Sequence, residues 1–171
     1  MQLEYRLSLK DYQEANQAHY KAMRFWYFLN WGLSLFLILL ALVYIVIRFR
    51  LESGFVWDLI EACFLLFLGI FLNPDLNLPF QRYFIALSWK NHPSLRETMN
   101  LEFTQEWMNL KGESFESKLR WKIFVKFLET KNLFLLYHSK IVFNMIPKRA
   151  FNSDEEIQQF REMLSTKIRK S

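Results

Sequence analysis

Residues 25–47 read FWYFLNWGLSLFLILLALVYIVI, 23 positions without a charge between Arg24 and Arg48. At about 1.5 Å of rise per residue such a helix covers roughly 34 Å, against about 30 Å for the hydrocarbon core of a bilayer. Trp26, Tyr27 and Trp31 beside Arg24, and Tyr44 beside Arg48 and Arg50, supply the aromatic and basic anchors expected where a span meets water. A cleaved leader describes the run less well, because it begins 24 residues in, is too long for an h-region and precedes no small-residue cleavage site. The stretch therefore predicts a membrane-spanning helix.

A second run follows at 54–72, GFVWDLIEACFLLFLGIFL, ended by Asn73-Pro74-Asp75. Its 19 residues give about 28 Å, enough to span if Asp58 and Glu61 sit near the interface or face a partner helix. These carboxylates are i,i+3 neighbours on one helix face. The short connection Arg48 to Ser53 returns the chain antiparallel, so Arg48, Arg50, Asp58 and Glu61 are expected at similar depth as an ion-pair cluster closing a helical hairpin. The functional alternative for the two carboxylates is an intramembrane proton or ion site. Residues 1–24 hold Arg6, Lys10, Lys21 and Arg24, the hairpin loop holds Arg48 and Arg50, and sixteen of the 22 Lys and Arg lie beyond residue 73. By the positive-inside rule both termini are expected in the cytoplasm, in a multi-pass protein of the inner membrane.

Outside 25–72 the pattern is that of a small α+β domain. Leu3, Tyr5, Leu7 and Leu9 alternate with polar residues as a half-buried strand, and a helix is expected from Asp11, with Glu14 completing a capping box. Together 1–24 should pack with the domain after the hairpin. Residues 73–98 contain PFQRYFIALSWKN, an aromatic, weakly basic helix expected as an interfacial connector or, equally, as an ordinary core-facing helix. From residue 99 the period becomes two, with strands expected at 100–104, 107–111, 115–127, 133–137 and 141–146, joined by tight polar turns as an antiparallel meander. A terminal helix from Ser153, with Glu156 as its capping partner, carries Ile157, Phe160, Leu164 and Ile168 in one stripe that must cover the sheet.

Composition narrows function mainly by exclusion. The single Cys, Cys63, rules out an intramolecular disulfide and a Cys-based zinc site, and four glycines leave no phosphate-binding loop. His19, His92 and His138 have no HxxxH or HExxH companion, and no nucleophile-elbow motif occurs. No catalytic, metal or cofactor site is thus expected, and the protein reads as non-enzymatic. Net charge is +5, which suits an anionic lipid surface or an acidic partner, with nucleic acid not expected because the aromatic residues read as buried. The one polar pattern that stands out is 115–127, where Lys118, Arg120, Lys122 and Lys126 alternate with apolar residues. A single strand there would align four cations as a lipid- or partner-facing row, or simply as a solvated strand face.

Trp121-Lys122-Ile123, the turn at Thr130 to Leu133, and Ile146-Pro147-Lys148-Arg149-Ala150-Phe151 before Ser153-Asp154-Glu155-Glu156 together resemble the YcxB-like family of bacterial membrane proteins. The resemblance implies a pleckstrin-homology-like cytoplasmic portion, a bent antiparallel sheet capped by a C-terminal helix, beside a two-helix transmembrane hairpin. It implies no assigned activity. Pro147, Lys148, Arg149 and Phe151, with Trp121, read as a structural corner, Phe151 stapling the last helix at Ile157 or its neighbours. The partners in view are the bilayer, including anionic lipid, an unidentified membrane or cytoplasmic protein, and a second copy of the chain. A small accessory subunit of a transport or efflux assembly is the competing role.

Overall fold

The computed structural model describes residues 2–51 and 55–168, so that loop residues Glu52 and Ser53, the expected span start at Gly54 and the final three positions of segment 99–171 lie outside the described residues. The chain is α+β and divides into two compact units, Met1–Ala22 with Ile85–Ser171, and Met23–Phe84.

In the first unit, β1 (Gln2–Arg6) is the first strand of an antiparallel sheet completed by β2 (Thr98–Phe103), β3 (Trp107–Lys111) and β4 (Glu116–Arg120), in that order. The first partners are far apart in sequence: Leu3 lies opposite Leu101 and Tyr5 opposite Met99. A second antiparallel sheet holds β5 (Lys126–Glu129), β6 (Leu133–Tyr137) and β7 (Phe143–Pro147). Every residue of β6 is buried, which requires cover on both faces. Phe134, facing one way, meets Phe160 of the terminal helix α5 (Asp154–Lys167), while Tyr137, facing the other, meets His19 of α1 (Leu9–Ala22). Phe160 also touches Phe103 of the first sheet at 4.9 Å between ring centroids, so α5 closes the core where the sheets meet.

Three local expectations need correction. The helix α1 begins at Leu9: Ser8 Oγ accepts from the Asp11 N–H at 3.3 Å and Asp11 accepts from the Ser8 N–H at 2.7 Å, a reciprocal cap one turn ahead of the one expected. The predicted strand 115–127 is broken, because residues 121–123 form a 3-10 turn that carries the chain from one sheet to the other. Trp121 turns inward there, its ring N–H donating to the Thr104 carbonyl at 2.8 Å, and the alternation slips phase: Phe124 is buried while Ile123 and Val125 are exposed. The last strand starts at Phe143, not Ile141.

In the second unit α2 (Arg24–Leu51) packs antiparallel to α3 (Phe55–Leu72). Small residues make the close approach possible: Ser34 and Ala41 on α2, Ala62 and Gly69 on α3, each pair seven residues apart and buried. Ser34 is also bonded to Asn73 at 3.1 Å. Among the described residues one helix, Arg24–Arg48, is long and apolar enough to cross a membrane. The expected second span therefore stands only as an apolar helix paired with the first. The helix α4 (Leu78–Asn91) continues from this unit into the other.

A methyl group added at Gly69 would lie 2.8 Å from Ile38 Cγ1 and 3.2 Å from the Ser34 carbonyl oxygen. Gly69→Val should therefore lower the thermal midpoint of the purified chain in mild detergent, an overpacking loss of about 1–3 kcal/mol, and Gly69→Ala should lower it less. Wild-type midpoints for both variants would show that the helices do not depend on this contact.

Candidate functional site

The Pro147–Phe151 segment forms a corner at one end of the second sheet. Pro147 is the last residue of β7, an edge strand, where a missing N–H leaves no ladder position empty. Lys148 Nζ donates to Glu129 at 2.7 Å and to the Thr130 carbonyl at 2.8 Å. Arg149 makes a two-pronged contact with Asp11, both N–H···O distances 2.6 Å, and adds a bond to the Arg6 carbonyl at 2.9 Å. Phe151 packs on Phe134 and on Phe160 of α5, so the staple expected at Ile157 or its neighbours is made to Phe160. The cap of α5 is Ser153, bonded to the Glu156 N–H, while the Glu156 carboxylate reaches back to the Asn152 N–H.

The electrostatics of the corner are those of paired, partly buried ions. Burial disfavours the Asp11 carboxylate, but Arg149 and Ser8 outweigh it and hold Asp11 below the usual carboxylate range. Arg161, and after it Lys148, bring Glu129 down to about 2 against the desolvation that burial imposes. On the adjoining turn Glu14 accepts from Thr130 Oγ1 at 2.6 Å, the Asn132 N–H at 3.0 Å and Asn132 Nδ2 at 2.8 Å. Sequence reasoning assigned Glu14 to a helix cap and missed this role, and missed Asp11 as the partner of Arg149. Neither pairing leaves a short-range trace, since each partner lies more than a hundred positions away.

The basic residues do not form one row. Lys118 and Arg120 lie exposed on β4, the edge of the first sheet; Lys122 is exposed in the crossing turn; Lys126 belongs to β5 of the second sheet. Lys118 sits over the Trp107 ring at 4.2 Å, and Lys126 over the Tyr137 ring at 4.6 Å. The break at Trp121 is the physical cause of this dispersal. His19, bonded to the Tyr137 hydroxyl at 3.2 Å, is held below its usual range first by burial and then by Lys126.

In the helical pair Arg48 donates to Asp58 at 2.5 Å, and the Tyr44 hydroxyl donates to Asp58 at 3.2 Å and to Glu61 at 2.5 Å. Arg50 is exposed and outside these contacts. Tyr44 is the member of this cluster that charge counting did not reveal.

Between the two sheets lies a cavity of about 280 Å³, lined mainly by Tyr5, Met99, Leu110, Phe115, Leu119 and Met145. Its polar lining includes Ser94, Ser117, His138 and Asn144. Among the described residues no group of three His, Cys, Asp or Glu side chains is placed to hold a metal ion.

Residues 103–164, from the end of β2 to the terminal helix, match the family described as YcxB-like protein. The matched segment contains Trp121, the Thr130 turn and the Pro147–Phe151 corner. No curated protein and no solved structure matches the chain.

Because the Glu129 carboxyl titrates at about 2 in the fold and near 4.5 unperturbed, its contribution is complete above pH 4.5 and declines as pH falls toward 2. After allowance for solvent at the rim it is worth about 1–3 kcal/mol. Glu129→Gln should be less stable than wild type at pH 7 and should lose less stability than wild type across that acid window, measured by urea titration in detergent. Parallel pH profiles would remove Glu129 from the account.

Proposed function

We propose that the protein is a non-enzymatic membrane protein in which α2 and α3 form a two-span hairpin and the first unit is a cytoplasmic pleckstrin-homology-like module for membrane-surface or protein binding. The observation that carries this reading is the surface of α2. Only 11% of its most apolar stretch is buried, unlike the core helix of a soluble fold, and a surface this apolar is stable only against lipid or protein. On α3, Trp57, Ile60, Phe64, Phe67 and Phe71 are likewise exposed. Asp58 and Glu61, each bonded to Tyr44, are provided for in the manner that low-dielectric surroundings demand.

Two further features support the reading. Phe80, Tyr83, Phe84 and Leu87 of α4 form an exposed i, i+3, i+4, i+7 stripe with Arg82 nearby, the composition of a helix lying in a membrane interface. The arrangement of four strands, then three, then a terminal helix is the order of a pleckstrin-homology-like module, although fold analogy alone assigns no ligand. With both termini on the cytoplasmic side, the cation-rich segments sit on the side that the positive-inside rule requires. The competing role, an accessory subunit of a transport assembly, draws on Asp58 Oδ2, which is buried with no hydrogen-bond partner among the described residues.

The sole cysteine provides the test. Cys63 is exposed on α3, so in intact bilayers a water-soluble maleimide should label it slowly and in SDS completely, because lipid excludes the reagent and disfavours the thiolate. Rapid labelling in intact membranes would place α3 in water and remove the hairpin span. If Asp58→Asn with Glu61→Gln abolished solute flux in cells, the transport reading would replace the binding module.

A further inference from the structure

We infer that the end of the second sheet opposite the Arg149 corner is a membrane-contact tip that docks on an anionic bilayer. Two segments meet there. The Val125 N–H donates to the Tyr137 carbonyl at 2.9 Å and the His138 N–H to the Val142 carbonyl at 2.9 Å, placing residues 123–125 and 139–142 on either side of the end of β6. With strands about 4.8 Å apart, these segments lie within about 10 Å of each other. Each presents aliphatic side chains to solvent: Ile123 is 46% exposed, Val125 54%, Ile141 69% and Val142 56%. Elsewhere in this unit Ile146 and Ile168 are buried and Ile85 and Ile157 partly so.

The charges around the tip select the occupant. Arg120, Lys122 and Lys140 are exposed beside the four aliphatic residues, and neither 117–128 nor 137–144 contains an acidic residue. Glu106, whose carbonyl accepts from the Trp121 N–H at 3.4 Å, brings one acid to the neighbourhood. Aliphatic side chains ringed by cations suit the boundary between acyl chains and anionic headgroups. A second copy of the same tip would set cation against cation.

The helix α1 runs from the corner to the tip. The helix starts at the corner, where Asp11 holds Arg149, and ends at the tip, where His19 contacts Tyr137 and Phe143. The chain thus leaves this unit at the tip end and enters α2 at Arg24, five positions after His19. At no more than about 3.5 Å per residue, these five positions extend no further than roughly 18 Å between His19 and Arg24. The inference rests on the membrane-spanning reading of α2, and the experiment separates the two.

The full chain carrying Cys63→Ser would be reconstituted into vesicles of phosphatidylcholine alone or with phosphatidylglycerol, each with lipids brominated on the acyl chain. An environment-sensitive fluorophore would be attached at Ile141→Cys, at Leu40→Cys within α2, or at Glu113→Cys in the β3–β4 turn. Expected are quenching at position 40 in both lipids, quenching at 141 that is stronger with phosphatidylglycerol, and little at 113. Lys122→Glu with Lys140→Glu should reduce the surface-bound population at least roughly 30-fold, from about fivefold for each cation near an anionic leaflet. Quenching at 40 without quenching at 141 would overturn the tip and leave the span intact. No quenching at 40 would overturn the span, and the tip with it. A blue shift at 141 that appears in detergent and grows with protein concentration would identify a protein interface and overturn the lipid assignment.

Discussion

The fork between Arg149 and Asp11 is the contact on which the first unit depends. Its partners lie 138 positions apart, one ahead of the helical pair and one after the last strand. A guanidinium that grips both carboxylate oxygens fixes distance and orientation together, as a single point charge cannot. Asp11 also caps α1 through Ser8, so one carboxylate sets both where the helix begins and where it docks. Glu14 then holds the Thr130 turn one helical turn further on, and the Tyr5 hydroxyl donates to the Met145 carbonyl at 3.1 Å. These bonds close a module whose first strand and helix are separated from the rest by the entire second unit.

With that closure, the burial of β6 on both faces follows. A middle strand needs α1 on one side and α5 with the other sheet on the opposite side, and only a chain that brings its beginning back to its end can supply both. Trp121 serves the same architecture by opening the five-residue crossing, 121–125, between the end of one sheet and the start of the next. Its ring fills the seam with Phe103 and Phe124, so the crossing is an inward-turned, hydrogen-bonded element of the core.

What could be read from sequence follows from the range of the interactions. Apolar periodicity is local, and it marked α2, α3, β1, β3, β6 and α5, the last with its Ser153 cap. The run Lys118 to Lys126 misled because strict alternation is compatible with one long strand, while at the break the Trp121 ring N–H is captured by the carbonyl of Thr104, seventeen positions earlier. Asp11 and Glu14 misled similarly: both are credible capping residues by spacing, and only the folded chain shows that distant Arg149, Thr130 and Asn132 compete for them. The family motif was visible as residue types, whereas the pairing that explains each of them was not.

The distribution of charge carries more meaning than the net value of +5. Acids in the first unit are largely engaged in its own scaffold: Asp11 with Arg149, Glu14 with the Thr130 turn, Glu97 with Ser114, Glu129 with Lys148 and Arg161, and Glu156 at the cap of α5. The cations they bind are thereby neutralised and rigid. Arg120, Lys122 and Lys140, in contrast, stand exposed beside aliphatic side chains that a freely soluble surface would ordinarily replace with polar ones. A scaffold that consumes its acids internally leaves these exposed cations at the end of the second sheet opposite the Arg149 corner.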